Sequence, residues 1–119
     1  MILGIGNDLI EIDRIEKACE KQAFLVHCYT ENEIELCHGK VSMLAGNFAV
    51  KESVAKSFGT GFREFETKDI EVLRDKLGKP YVKLYGGARK LYEEMGATAL
   101  HVSITNTKEY AVAMAVLEK

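Results

Sequence analysis

Between Ser42 and Phe58 the apolar residues fall on two sides of a helix, and in a chain of 119 residues that pattern restricts the fold more than any other. At about 100° per residue, Val41, Leu44, Ala45, Phe48 and Ala55 share one face, while Val50 and Val54 lie opposite. A helix apolar on two sides must be covered on two sides. A small domain buries only a modest fraction of its surface, so cover from further copies of the chain is expected. Gly59 follows as a left-handed helix stop.

The middle of the first face holds a carboxylate, Glu52, which is costly among apolar neighbours unless something positive neutralises it. Two ordinary explanations stand beside a metal or catalytic role. Glu52 pairs with Lys56 one turn on, or it is solvated at a groove edge.

The other elements follow from periodicity and caps. Ile2 to Ile12 reads as a strand with Gly4, Gly6, Asp8, Ile10 and Ile12 on one side. Asp13 and Glu16 have the spacing of a capping box for a helix to about Gln22, and Thr30 with Glu33 offers a second box. Ile70 to Arg74 and Tyr81 to Tyr85 make a hairpin turning at Gly78. Ala88, Leu91, Tyr92 and Met95 mark an amphipathic helix ended by Gly96, and Leu100 to Thr105 with Tyr110 to Leu117 close the chain as a second hairpin. The last strand is apolar on both faces and is expected to be central or at an interface. The order of elements gives an α+β fold, an antiparallel sheet with a long central helix. Nothing marks a linker or a repeat, so residues 1–119 read as one domain.

Composition removes several functions. The net charge of −2 speaks against a general nucleic-acid binder. No apolar run approaches the roughly 20 residues of a membrane span, and the N-terminus lacks signal-peptide features, so a soluble cytoplasmic protein is expected. Cys19, Cys28 and Cys37 lack CxxC spacing. His27-Cys28 and Cys37-His38 are neighbours in sequence that converge poorly on a zinc ion, which leaves buried thiols as the default.

Asp8 is the second anomaly. It ends a run, Gly4-Ile5-Gly6-Asn7-Asp8, whose glycines mark close approach of a ligand or another backbone. It is either a polar residue of an edge strand or one half of a cation site. Two carboxylates from separate elements, completed by waters, are the usual holder of Mg²⁺ on a phosphate substrate. Lys56 is placed to meet a phosphate. Gly59-Thr60-Gly61 offers exposed backbone N–H groups, unless it is only a helix stop.

Four ordered stretches carry a resemblance. They are Gly4 to Ile15, Phe48 to Gly61, Gly78 to Val82, and His101 to Thr105 continuing through Thr107 to Ala111. Together they resemble the signatures of the holo-acyl-carrier-protein synthase family of phosphopantetheinyl transferases. The resemblance implies the phosphopantetheinyl transferase fold and transfer of 4′-phosphopantetheine from coenzyme A to a serine of an acyl carrier protein, in support of fatty acid biosynthesis. It also implies Mg²⁺ on Asp8 and Glu52, with Lys56 beside the phosphates and these three as the catalytic group. Coenzyme A contacts are expected at Lys56, Gly59, Gly61, Asn106 and Thr107. The family's short form is a homotrimer with active sites between subunits. Arg14, Lys17 and Lys21 at i, i+3 and i+7 are expected to dock an acidic carrier protein, and a solvated helix face is the ordinary alternative.

Two positions depart from the family. Asn106 stands where most members have His, and Asn47 where many have Arg, which puts an Arg contact to the 3′-phosphate of coenzyme A in doubt. The rival functions are a non-catalytic coenzyme A or carrier-protein binding module degenerate at Asn106, and a small structural protein.

Overall fold

The computed structural model describes residues Met1–Lys119. In chain order the elements are β1 (Ile2–Glu11), α1 (Ile12–Cys19), α2 (Gln22–Cys28), α3 (Glu31–Cys37), α4 (Val41–Phe58), a 3₁₀ turn (Thr67–Asp69), β2 (Ile70–Arg74), β3 (Pro80–Leu84), α5 (Gly86–Glu94), β4 (Ala99–Asn106) and β5 (Tyr110–Glu118). Strand β5 lies between β1 and β4 in one antiparallel sheet, and β2 pairs with β3 in another. The fold is α+β around the long helix α4, as expected, with two sheets in place of one.

The sheet face under α4 is made of the smallest residues. β5 contributes Ala111, Ala113 and Ala115, all buried, and β1 contributes Gly4 and Gly6. A Cβ on Gly6 would lie 1.9 Å from the Ser53 carbonyl oxygen, and one on Gly4 would lie 1.9 Å from that of Ser57. The clearing on β1 therefore admits the backbone of α4, and the helix sits directly on the strand. Gly6→Ala should push strand and helix apart and cost about 1–3 kcal/mol or more. Thermal unfolding of the variant checks this, and an unchanged midpoint would contradict the packing.

The second side of α4 is covered by this chain, not by another copy. Val50, Val54 and Phe58 share a buried cluster with Phe65, Ile70 and Val72. The second sheet, β2–β3, supplies the layer that the single-sheet expectation lacked. The first side, through Leu44 and Ala45, meets Ile15, Tyr29 and Cys37.

Two local expectations change. The Asp13–Glu16 capping box does not form, because β1 runs straight into α1 with Glu11 as N-cap. The Ile12 N–H donates to the Glu109 carbonyl at 2.9 Å, so the strand pairing with β5 caps the helix. α1 then ends at Cys19, and residues 22–28 form a separate helix. The Thr30–Glu33 box does form, and Gly59 closes α4 at φ 79°.

One apolar surface stays uncovered in the single chain. On the face of β1 and β5 turned away from α4, Ile5 is 67% exposed, Leu9 59% and Met114 52%. β5 is the central strand of its sheet, as expected, and its outer face is open and apolar. No helix is long and apolar enough to cross a membrane.

Candidate active site

The glycines of β1 decide where the carboxylates meet. Gly4 lies beside Ser57 and Gly6 beside Ser53, so β1 runs antiparallel to α4 and Asp8 comes level with the turn carrying Glu52. Helical side chains lean toward the helix N-terminus, which aims Lys56 back along β1. Its ammonium donates to Asn7 O at 2.9 Å and to Asp8 Oδ1 at 3.1 Å. Lys56 is engaged with Asp8, and the i+4 ion pair with Glu52 is not formed.

Glu52 is half-buried on the same edge. Burial raises its carboxyl pKa above the ordinary value, the charge of Asp8 raises it further, and Lys56 opposes both. Two carboxylates share one lysine here, which leaves the cluster short of positive charge. No group of three or more His, Cys, Asp or Glu converges anywhere in the chain. A two-carboxylate donor set suits Mg²⁺, which fills its octahedron with waters and substrate phosphates, better than zinc, which takes three or four protein ligands. The His-Cys pairs diverge: Cys28 and Cys37 are buried while His27 and His38 are exposed.

Gly59 and Gly61 follow Lys56 with φ of 79° and 65°, and a Cβ at either would meet nothing within 4 Å. Their glycine character serves the backbone turn, and both stay open to a ligand. Asn106 and Thr107 are elsewhere. Asn106 Nδ2 donates to Ser42 O at 3.1 Å, at the opposite end of α4. From Ser42 to Glu52 is ten residues, about 15 Å of helix, and to Gly59 about 25 Å. The Thr107 hydroxyl accepts from the Glu109 and Tyr110 N–H groups and holds the β4–β5 turn. The expected coenzyme A residues thus fall into two groups that one chain does not bring together.

The cationic face is smaller than expected. Arg14, Lys17 and Lys21 are all exposed, but α1 ends at Cys19, so Lys21 lies beyond it as the N-cap of α2. Asp13, Glu16 and Glu20 stand among Arg14 and Lys17. Beside Arg14 lies a groove of about 340 Å³ lined by Leu9, Ile15, Phe24 and Phe48.

Sequence reasoning missed a buried ion pair. Lys51 and Glu33 are fully buried, with Nζ to Oε1 at 2.7 Å. Lys51 also donates to the carbonyls of Thr67 and Ile70, tying α4 to α3 and to the start of β2. Asn47, also fully buried, donates to Glu33 Oε2 and Val72 O, both at 3.0 Å. The signal was available, since Asn47 and Lys51 fall on the same helical stripe as Val50, Val54 and Phe58.

The sequence and the fold have known counterparts. The family model of the 4′-phosphopantetheinyl transferase superfamily matches residues 4–115. The holo-[acyl-carrier-protein] synthase of Lachnoclostridium phytofermentans is 55% identical over 118 residues, 99% of this chain and 97% of that one. The crystal structure of the Neisseria meningitidis enzyme of that name superposes with a TM-score of 0.92 at 34% identity, covering all of both chains. That from Bacillus anthracis, in complex with CoA (3′,5′-ADP), gives 0.84 at 38% identity over 100% of this chain and 98% of that one. The chain belongs to the 4′-phosphopantetheinyl transferase superfamily and, within it, to the holo-[acyl-carrier-protein] synthases.

Proposed function

We propose that the chain, acting as one domain over residues 1–119, transfers 4′-phosphopantetheine from coenzyme A to a serine of an acidic acyl carrier protein. The work belongs to fatty acid synthesis in the cytoplasm. The observation that carries the reading is the Asp8–Glu52–Lys56 cluster, two carboxylates and one lysine at an open seam. Asp8 and Glu52 would hold Mg²⁺, which supplies charge neutralisation at the pyrophosphate when bound. The serine oxygen forms a bond to the phosphorus bearing pantetheine, the bond to the bridging oxygen breaks, and 3′,5′-ADP leaves. Lys56 faces the charge that builds on that leaving group. Glu52, or a water beside it, would accept the serine proton. Gly59 and Gly61 offer backbone N–H groups one turn further on.

The exposed apolar face of β1 and β5, together with the division of the coenzyme A residues between the ends of α4, supports a homotrimer. In it, Asn106 and Thr107 of one copy would serve the carboxylates of another. Sedimentation equilibrium at micromolar concentration should give about three times the monomer mass of 13.3 kDa. A monomer under those conditions would sink the shared site.

Arg14 and Lys17, beside the groove of Phe24 and Phe48, would dock the carrier. Arg14→Glu should slow carrier association roughly fivefold or more at low salt, and leave coenzyme A binding unchanged. Wild-type association should fall steeply with ionic strength and the variant's much less. Equal rates at low salt would make α1 a solvated surface.

Catalysis is tested by mixing protein, Mg²⁺, coenzyme A and excess apo-carrier and following release of 3′,5′-ADP. Many equivalents per protein are expected. Binding of both ligands without release would favour the non-catalytic module.

A further inference from the structure

Strand β1 is the last strand of its sheet, with β5 on one side and no strand on the other, so Asp8 stands at a free edge. Lys56 reaches that edge from α4. Its stem crosses Gly6, where a Cβ would lie 2.9 Å from Lys56 Cβ, and its ammonium donates to Asn7 O and Asp8 Oδ1. Glycine at position 6 therefore clears the path of the lysine as well as seating the helix. The pair with Asp8 is the only ion pair Lys56 makes.

The three charged groups of the cluster are held unequally. The Asp8 side chain is 17% exposed and is the fixed member. That of Lys56 is 53% exposed on a flexible four-carbon stem, and it is the member free to move. Glu52 is half-buried and shares neither a hydrogen bond nor an ion pair with Lys56. One ammonium against two carboxylates leaves a negative charge unmatched. A divalent cation shared by Asp8 and Glu52 would match both, but it needs the Asp8 oxygen that Lys56 now holds, and it repels the ammonium beside it. The exchange becomes favourable once Lys56 has another anion to go to. The chain supplies none within reach, and a pyrophosphate does.

We propose that Lys56 is the resident cation of the Asp8 carboxylate, held there until a divalent ion and a pyrophosphate arrive together, and that it makes those two ligands bind cooperatively. The inference rests on the reading of Asp8 and Glu52 as the metal-holding pair of a coenzyme A-dependent transferase. Phosphate draws the ammonium off Asp8 and opens the carboxylate to the metal. The metal, by displacing the ammonium, leaves it free for the phosphate. Such coupling is reciprocal, so each ligand tightens the other by the same factor. In the free enzyme the carboxylate keeps a counter-charge without retaining a metal ion that has no substrate.

Mn²⁺ binding, followed by loss of the free-ion electron paramagnetic resonance signal, tests this without turnover. In the absence of nucleotide, Lys56→Met should bind Mn²⁺ roughly tenfold more tightly than the wild type. With saturating coenzyme A the difference should vanish or reverse, because the wild-type ammonium then lies on phosphate. A lysine that repels the metal without moving would leave the gap the same size with and without coenzyme A, and that result overturns the exchange. Equal affinities without nucleotide, or a weaker variant, overturn it too. So does a crystal structure of the wild type with Mn²⁺ bound and Lys56 Nζ still on Asp8 Oδ1. Thermal unfolding checks that Lys56→Met folds. Wild-type transfer alongside equal Mn²⁺ affinities counts against the exchange alone, and protein that shows the exchange yet releases no 3′,5′-ADP counts against the transferase reading alone.

Discussion

Glu52→Gln and Asp8→Asn should each abolish transfer, with kcat/KM down about a thousandfold or more and the fold intact. Both replacements keep the shape of the side chain and remove one negative charge from a cluster that has only two. On the proposed reading, a single carboxylate beside Lys56 would no longer attract a divalent cation, and charge stabilisation worth about several kcal/mol would go with it. Glu52→Gln also relieves the repulsion by Asp8 and the burial of a charge, so its thermal stability should match or exceed that of the wild type. That combination, lower activity with unimpaired stability, separates a functional carboxylate from a structural one. Near-normal rates at saturating Mg²⁺ in either variant would remove the metal assignment.

Lys51→Met should act in the opposite sense, on stability first. It leaves the Glu33 carboxylate fully buried without its cation, and it frees the Thr67 and Ile70 carbonyls that the ammonium now satisfies. Breaking a buried pair from one side costs about 3–5 kcal/mol. The pair Lys51→Met with Glu33→Gln leaves no charge unpaired and should cost less than Lys51→Met alone. Denaturant unfolding of the single and double variants measures the difference. A double variant as unstable as the sum of its singles would mean that Lys51 contributes packing and not charge.

The contrast between these two glutamates shows what could be read from the residues and what could not. Glu52 stood out because it interrupts a helical stripe, a pattern visible within one turn on either side. Its partner was less visible. The spacing pointed to Lys56, and the structure gives Lys56 to Asp8, because Gly4 and Gly6 bring a distant strand under the helix. Glu33 looked like an ordinary capping residue, and it does cap α3. Its second role depends on Lys51, eighteen residues away, and on β2, whose approach no local pattern records. The same limit hid α2, since a seven-residue run such as Gln22–Cys28 is too short for its period to settle its conformation. It also hid the second sheet, because hairpins announce their own pairing and not which neighbour they join. Thr30, Gly59 and the strand β5 were legible because a cap, a left-handed stop and a two-sided apolar strand each carry their signal locally. Asn106 and Thr107 were assigned to coenzyme A by resemblance alone, and the spread of the assigned residues over both ends of α4 could appear only once that helix was in place.

The central claim is transfer of one defined group to one class of partner, and the mass of the acceptor reads it directly. Apo-carrier protein incubated with the enzyme, Mg²⁺ and coenzyme A should gain about 340 Da, the phosphopantetheine increment and not the whole cofactor, at a single serine. With Glu52→Gln in place of the wild type the gain should disappear. An unmodified carrier after prolonged incubation with well-folded, coenzyme A-bound protein would contradict it.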